Sequence, residues 1–452
     1  MPYLMDLDDN LLYEIFSELL YYRPTLYNLS LVSRRCNELV RPILYRHMSI
    51  NILPSFRPRH HLPDLILRTL QNRPEFSLLV RSVLVHSLDY SESTQQTIDA
   101  IIQMLKNVRY LKLWIARKET PLSPVILEGG LLSHLSELHT GITRINISEI
   151  FDFLTLPSAR TLTVQKLSLP VTVEDLEQLR NLRSPITELS LCAGQKYGFP
   201  PFHLRLSTID GLLRCTSRLQ KISFMIPTSH DAYEGPSVDL SSYRLMCELS
   251  PVKLSQALHS IASTLTELDI KSRSETWDRH DGSKLNLKDF VALKRVSIPS
   301  RLVFPSPVPL TVDDGQSRAG LYKLLPSTLE NMRINFEANS AFISLKWPTQ
   351  WTEQTTQGVH PGIRPWMYRW CMELAEMKAV SFPKLSSFVV EEESWRENHS
   401  TTLLQLPLEM SRTFEVNHIN ISVLCRGRNR YGKRDENRGP EIHLYADDSH
   451  EG

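Results

Sequence analysis

A short pattern of apolar positions recurs along most of the chain: apolar, two residues, apolar, one residue, apolar. Copies begin at Val80, Val108, Leu135, Ala159, Ile186, Leu219, Leu265, Leu293, Leu329, Leu385 and Val416. Because side chains alternate between the two faces of a strand, the end of each copy predicts a strand with one apolar face. Helical patterns precede several copies, as in 97–107, 175–184 and 254–263. The chain is therefore predicted to repeat a strand–helix unit.

The spacing of the copies resembles that of leucine-rich repeats, because the first four intervals are 28, 27, 24 and 27 residues. The resemblance implies an α/β (α+β) fold in which an irregular solenoid, or horseshoe, follows an N-terminal helical module. The usual Asn or Cys beyond the last repeat leucine is absent, so we expect uneven curvature. Longer intervals predict insertions near 227–253, 301–320 and 340–380.

The first 50 residues carry a helical pattern instead. Apolar residues recur at helical spacing from Leu11 to Leu20, and a second helical stretch follows Pro24. Pro42 is expected to end that stretch, so the pattern predicts about three short helices. Such a unit rarely buries enough surface to be stable alone. We therefore expect its surplus apolar side chains to be covered by the rest of the chain or by a partner.

The stretch from Leu4 to His47 resembles the fungal type of F-box, through "NLLYEIFSELL" followed by "LYNLSLVSRRCNELVRPILYRH". The resemblance implies docking on the adaptor subunit of an SCF-type cullin–RING ubiquitin ligase, and through the adaptor on the cullin. It implies adaptor-facing or supporting apolar positions at Leu7, Leu11, Leu12, Ile15, Leu26, Leu29, Val32 and Cys36. The family usually has an aromatic residue where Cys36 stands, so Cys36 would be a smaller anchor. The alternative is that this unit is the N-terminal helical cap of the array.

The domain organisation follows from these patterns. We expect an F-box over residues 1–50, a proline-rich connector over 51–64, the repeat array over 65–425, and a charged, weakly ordered tail over 426–452. A basic run opens the tail, and it is typical of a solvated tail, a nuclear import signal or a nucleic-acid patch.

Candidate target contacts lie where the strands would line the concave face. Tyr110, Lys112 and Trp114 form the strongest local patch, and His86 and His139 are expected beside them. The alternative for these residues is ordinary concave surface. The middle row of the concave face is expected to end at Asn420.

A second candidate lies in the longest interval, which also contains Trp347 and Trp351. Trp366 and Trp370 are four residues apart and share a helical face. They predict either packing of the insertion onto the array or an aromatic patch that contacts the target.

Composition limits the classes of partner. The 51 basic and 50 acidic side chains nearly cancel, so no global field favours nucleic acid or an anionic membrane. Six scattered cysteines without a CxxC pair indicate a reducing compartment, so we expect an intracellular protein, cytoplasmic or nuclear. The N-terminus lacks the features of a signal peptide, and no apolar run approaches the roughly 20 residues that span a bilayer.

The sequence shows no motif for catalysis. GxGxxG, GxxxxGK[ST], GxSxG and HExxH are absent, and glycine is scarce at 16 residues. "WDRHDG" gathers Asp278, His280 and Asp281, but it is typical of a charged surface loop. We therefore expect no cofactor, no metal and no enzymatic activity. The resemblances imply a substrate receptor that binds an unknown target protein for ubiquitination and proteasomal degradation. The rival functions are an interaction scaffold outside a ligase and an enzyme of unrecognised fold.

Overall fold

The strands of the repeat array form one long sheet. The structure, a computed structural model, describes residues 7–20, 22–52, 62–87, 92–115, 133–141, 147–164, 172–191, 206–226, 248–272, 279–304, 317–336, 365–394, 401–403 and 406–427. Within these ranges the sheet contains thirteen strands. They are β1 (His47–Ile52), β2 (Ser82–Ser87), β3 (Tyr110–Ile115), β4 (Glu137–Thr140), β5 (Thr161–Val164), β6 (Glu188–Leu191), β7 (Lys221–Met225), β9 (Glu267–Lys271), β11 (Arg295–Pro299), β12 (Asn331–Phe336), β13 (Ser387–Ser394), β14 (Thr401–Leu403) and β15 (Asn420–Gly427).

The order of the strands in the sheet follows the order of the chain, except that β14 lies outside β15. Twelve of the thirteen strands are parallel to one another. The exception is β14, which pairs with β15 antiparallel. The remaining two described strands, β8 (Glu248–Leu249) and β10 (Arg279–His280), form a separate parallel pair. One strand per repeat, paired with the next strand of the chain, is the arrangement of a solenoid.

Helices connect most of the strands. The α-helices are α1 (Asp9–Glu18), α2 (Arg23–Val32), α3 (Arg34–Arg46), α4 (Leu62–Asn72), α5 (Glu92–Met104), α6 (Phe151–Thr155), α7 (Val173–Asn181), α8 (Leu206–Cys215), α9 (Pro251–Leu258), α10 (Pro365–Glu376), α11 (Lys378–Ser381) and α12 (Leu408–Val416). Short 3₁₀ helices lie at Pro74–Leu78, Ile147–Ile150, His259–Ile261, Ser300–Leu302 and Leu321–Leu324. The helices expected over 97–107, 175–184 and 254–263 are confirmed as α5, α7 and α9.

The strands bury alternate side chains. In β2, Val83 and Val85 are fully buried, whereas Leu84 and His86 between and beyond them are half-buried. The buried strand residues form one apolar core with residues of the helices α4–α10 and α12. We call the side of the sheet away from this core the open face. It carries the strand residues that alternate with the buried ones, such as Leu84 and His86 in β2.

A backbone ladder links the repeats just before each strand. The carbonyl of Arg46 accepts a hydrogen bond from the N–H of Arg81, and the carbonyl of Arg81 accepts one from Arg109. The same step recurs along the sheet until the N–H of Asn420 donates to the carbonyl of Ser386 at 2.8 Å. Buried backbone groups need such partners. Each repeat therefore supplies an N–H group that hydrogen-bonds a carbonyl of the previous repeat.

The strand prediction is confirmed for ten copies of the apolar pattern, which end in β2–β7, β9 and β11–β13. The last copy is displaced by two residues, because Ile421 and Val423 pair with the buried Phe388 and Val390. Ser422, and not Asn420, is therefore the open-face neighbour of Val389. His418 takes a left-handed conformation with φ of 52° just before this strand, which accompanies the shift.

Three helices, α1–α3, form the N-terminal end of the chain, and we call them the three-helix module. Asp8 caps α1 by accepting the N–H of Leu11 at 2.9 Å, and Ser33 caps α3 by accepting the N–H of Cys36 at 3.0 Å. The expectation that Pro42 ends the helix is wrong, because α3 continues through Pro42 to Arg46. Pro42 has no N–H to donate, so the helix loses one backbone hydrogen bond, which costs stability. The helix still continues, because its apolar face with Cys36, Val40 and Ile43 is buried.

The expected connector between the module and the array is also misplaced. β1 begins at His47, directly after α3, so the sheet starts inside the range assigned to the F-box. The guanidinium of Arg23 donates to the carbonyl of His47, and the rings of Tyr45 and Phe76 stack at 4.3 Å. Of the expected connector 51–64, Asn51 and Ile52 belong to β1 and residues 62–64 belong to α4, whereas residues 53–61 lie outside the described residues.

The other expected boundaries are partly testable. Residues 227–247, 305–316 and 340–364 of the expected insertions lie outside the described residues. Within the expected insertion of 340–380, α10 packs into the core of the array, whereas Val380 of α11 is exposed. The first residues of the expected tail, Arg426 and Gly427, belong to β15. Within the described ranges, no helix combines the length and apolar character needed to cross a membrane.

Candidate functional site

Five predicted contact residues come together on the open face of β2–β4. Lys112 of β3 has Leu84 of β2 and His139 of β4 as its cross-strand neighbours. Tyr110 and Trp114 flank Lys112 along β3, and His86 is the cross-strand neighbour of Trp114. We call His86, Tyr110, Lys112, Trp114 and His139 the aromatic patch. The parallel register brings these residues together, although they are separated by up to two repeats.

The indole of Trp114 lies close against a glycine, Gly141. A Cβ atom built on Gly141 would approach Cδ1 of Trp114 to 2.3 Å, far inside van der Waals contact. Gly141 follows β4 and donates its N–H to the carbonyl of Leu113 at 2.7 Å, so its position beside Trp114 is fixed. The missing side chain leaves room for the indole, and this is a place where glycine permits a close approach.

Lys112 and His86 both contact the ring of Trp114. The ammonium of Lys112 lies 5.0 Å from the centre of the indole, and the His86 ring meets it edge-on at 5.7 Å. Burial lowers the pKa of Lys112. Burial, and then the charge of Lys112, lower the pKa of His86. Both effects disfavour additional positive charge in the patch.

Tyr110 and His139 form the other half of the patch, with ring centres 5.0 Å apart. Burial and the nearby Glu137 carboxylate raise the pKa of Tyr110. Nε2 of His139 is inaccessible to solvent and has no hydrogen-bond partner among the described residues; the Glu137 carboxylate lies 3.6 Å away. The patch thus keeps polar hydrogen-bonding capacity beside its rings.

The open face of β6–β13 has a different character. Charges alternate at one position of successive strands: Lys221 lies 2.9 Å from Glu188, and Arg295 lies 3.0 Å from Glu267. The hydrogen bond with Glu188 is the largest cause of a raised pKa at Lys221. A depression of about 300 Å³ lies on this region, lined by side chains of β9, β11, β12 and β13. We call the row of ion-paired residues Glu188, Lys221, Glu267 and Arg295 the charge ladder.

The tryptophans of α10 do not form a surface site. Trp370 is 1% exposed, and its ring centre lies 4.7 Å from that of Phe304 and 6.0 Å from that of Phe388. Its prediction as a target contact is wrong, because it fills the core beneath the C-terminal strands. Trp366 is partly buried and packs against the same core. Trp347 and Trp351 lie outside the described residues.

The predicted adaptor residues divide by burial. Leu12, Leu26 and Cys36 are at most 1% exposed and form the core of the three-helix module with Phe16, Val40 and Ile43. Leu7 and Leu29 are partly buried against that core. The resemblance implies an adaptor-facing or supporting position for Cys36, and its internal side chain fits the supporting role. Its size matters for packing α3 in the module.

The other three predicted adaptor residues are exposed. Leu11 is 46% exposed, Ile15 is 40% exposed and Val32 is 66% exposed. Leu11 and Ile15 lie one turn apart on α1 and so share a face. The exposed Tyr22, Tyr27 and Leu31 add apolar surface on or next to α2. The module therefore has a closed core of its own and unpartnered apolar side chains outside it.

Residues considered for metal binding have structural roles. Nδ1 of His280 accepts the N–H of Gly282 at 2.8 Å, so Nε2 carries the proton and donates to the carbonyl of Arg301 at 2.8 Å. Asp281 accepts the N–H and hydroxyl of Ser283. Asp278 lies outside the described residues. Within the described part of the chain, no cluster of His, Cys, Asp or Glu could hold a metal ion.

Comparisons with known proteins give weak structural similarity. No family profile matches the chain, and no curated protein sequence matches it. The chain is similar to the leucine-rich-repeat-containing protein LegL7 from Legionella pneumophila, with a TM-score of 0.33 and 11% identity over 82% of this chain and 97% of LegL7. It is also similar to TLR13, solved in a complex with ssRNA13, with a TM-score of 0.34 and 11% identity over 80% of this chain. That alignment covers 48% of the TLR13 chain. The sheet itself shows that the array is a leucine-rich-repeat-like solenoid, since one strand per repeat pairs with the next.

Proposed function

We propose that the protein is the substrate-recognition subunit of an SCF-type cullin–RING ubiquitin ligase in the cytoplasm or nucleus. The three-helix module docks on the adaptor, and the open face of the array binds the target protein. The protein itself carries no active site. Its contribution is positional, because holding a target near the ubiquitin-charged enzyme raises the effective concentration of the target's lysines.

The exposed apolar surface of the three-helix module carries this proposal. Fifteen large hydrophobic side chains are exposed in the described residues, and seven of them lie between Leu11 and Val32. A high density of exposed apolar side chains in one small module is typical of an interaction site. The resemblance of the same residues to an F-box supports the adaptor as the partner.

Co-purification tests the docking. In the variant Ile15→Asp/Val32→Asp both changes are at exposed positions, so the module keeps its core while two apolar contacts are replaced by charges. We expect the full-length variant to lose the adaptor and the cullin. Leu29 is left unchanged because it packs against the module's core, and its loss would confuse unfolding with loss of docking.

The matched control is Val173→Asp/Val291→Asp, two valines of the array that are 66% and 67% exposed. It should retain the adaptor and the cullin. Retention of both by the Ile15/Val32 variant would contradict the proposed docking surface. Wild-type protein that binds neither the adaptor nor the cullin would favour the scaffold function instead.

A further inference from the structure

Lys112 differs from the other basic side chains of the open face. Lys221, Lys271, Arg295 and Arg333 each lie within 3.6 Å of a carboxylate oxygen on the same face. Among the described residues, no carboxylate oxygen lies within 4.0 Å of the Lys112 ammonium. A half-buried ammonium without an anionic partner loses hydration and gains no ion pair in return. This position is therefore the place where an incoming anion would gain the most.

The surroundings of Lys112 define what could accompany that anion. Lys112 is central in the patch, between Tyr110 and Trp114 along its strand and between Leu84 and His139 across the sheet. Tyr110, Leu84 and Trp114 offer half-buried apolar surface at three positions next to Lys112 in the sheet. Aromatic side chains surrounding a charged group are typical of energetically important interface positions.

We propose that the aromatic patch binds an acidic segment of the target protein, with Lys112 pairing with an aspartate or glutamate carboxylate and Trp114, Tyr110 and Leu84 contacting an apolar side chain next to it. This inference rests on the proposed role of the open face in binding the target. It assigns a chemical class of ligand to one place on a sheet that spans twelve parallel strands.

Two other ligand classes suit the patch less well. A cationic ligand would meet Lys112, which already occupies the ring of Trp114 at 5.0 Å and repels a second positive charge. A phosphorylated segment is typically read by clustered arginines. The described open-face positions of β2–β5 include a single lysine and no arginine. A carboxylate matches one ammonium in charge.

Peptide libraries test the ligand class with the full-length protein. Three immobilised, end-capped libraries carry a fixed central glutamate, glutamine or phosphoserine, and all other positions are randomised. We expect enrichment on the glutamate library, with apolar or aromatic residues selected next to the glutamate. Equal retention on the glutamine library, or preferred retention on the phosphoserine library, would overturn the proposal.

Variants then locate the binding. Against a selected glutamate peptide, Lys112→Gln should bind roughly tenfold more weakly or worse, because an interfacial charge pair is lost. Lys112→Arg should keep most of the affinity. Lys221→Gln, which changes a paired lysine on the same face, should bind as the wild type does. Equal losses for Lys112→Gln and Lys221→Gln would contradict the assignment to the aromatic patch.

The two proposals fail in different ways. If the ligand assignment is wrong, Lys112→Gln binds the peptide normally, whether or not the adaptor co-purifies. If the ligase assignment is wrong, Ile15→Asp/Val32→Asp and wild type do not differ in adaptor binding, while Lys112→Gln still loses the peptide. Both readouts are measured on wild type, Ile15→Asp/Val32→Asp, Lys112→Gln and Lys221→Gln, which separates the outcomes.

Discussion

Trp114 and Trp370 lie at the centres of two aromatic clusters on opposite sides of the same sheet. Trp114 sits on the open face of β3 with Lys112 and His86, where its ring is half-buried. Trp370 sits on α10 in the core, among Phe304, Phe336 and Phe388. The first cluster mixes half-buried rings with titratable groups, and the second is fully buried and encloses the guanidinium of Arg318, 5.1 Å from the ring centre of Phe304. Aromatic density alone therefore does not indicate a binding site; the face of the sheet decides.

The two clusters also stabilise the molecule differently. A buried ring in the core contributes through area removed from water and through close packing. A ring on the open face keeps part of its surface in solvent and remains able to gain contacts with a ligand. The variants and conditions below test this difference, beginning with the largest expected loss of stability.

Trp370→Ala should remove about 3–5 kcal/mol of unfolding free energy, since it leaves a large cavity in a packed core. Denaturant unfolding followed by circular dichroism measures the loss. Trp114→Ala is the matched control and should cost much less while abolishing binding of the glutamate peptide. Equal stability losses for the two variants would contradict the contrast between the clusters.

Gly141→Val should cost about 1–3 kcal/mol, because a new side chain must displace the Trp114 ring from its place beside β4. The same displacement should weaken binding of the glutamate peptide. Gly282→Ala serves as a control for a left-handed glycine with open space at its Cβ, and it should leave peptide binding unchanged. Normal peptide binding by Gly141→Val would show that the position of the indole is not required.

Stability should fall as the pH drops below about 6.5, the ordinary pKa of histidine. Burial, as the largest cause, lowers the pKa of His47, His86 and His280 in the folded protein. The unfolded chain then binds protons before the folded one, so the contribution of these groups is complete above that pH and is lost as the pH falls through their lowered values. Unfolding midpoints across the pH range measure this slope.

The histidine variants assign that slope to the two halves of the array. His86→Gln removes the group beside Trp114, and His280→Gln removes the group that bonds Gly282 and Arg301. Each should reduce the dependence of stability on pH. A slope unchanged in both variants would place the effect on His47 or on the carboxylates.

Lys221→Ala should change stability least, by about 0.2–1 kcal/mol, since its ion pair with Glu188 is half-exposed. The loss should shrink at high salt, where exposed charges are screened. A double-mutant cycle with Glu188→Gln isolates the pair energy. A coupling well above this range would mean that the charge ladder acts as a cooperative network.

Much of the sheet could be predicted from the sequence, because the apolar pattern marks buried strand positions directly. Aligning the copies also places Tyr110, Lys112 and Trp114 beside His86 and His139, so the composition of the aromatic patch was predictable. The strand β1 was missed, although Met48, Ile50 and Ile52 alternate, because Tyr45 takes the leading position that an aliphatic residue or alanine holds in the other copies. The pairing of Glu188 with Lys221 follows from the same alignment.

Other features depend on tertiary packing that periodicity does not encode. Trp366 and Trp370 share a helical face in either interpretation, and only the packing of α10 on β12 and β13 decides that the face is internal. Cys36 matches an anchor position by order, yet the contacts of α3 with α1 and α2 bury it. The contact of Trp114 with Gly141 joins residues of neighbouring repeats. The only local sign of it in the sequence is that residue 141 is a glycine in a chain where glycine is scarce.

The direct passage from α3 into β1 has a mechanical consequence. The chain leaves the three-helix module and enters the sheet between two adjacent residues, and Arg23, Tyr45 and Phe76 brace that joint from both sides. Because no linker residues separate α3 from β1, the module and the sheet are expected to keep one fixed orientation. Under the proposed docking of the module on a ligase, a target bound on the open face would be held at one distance and one angle, and this geometry would select which of its lysines receives ubiquitin.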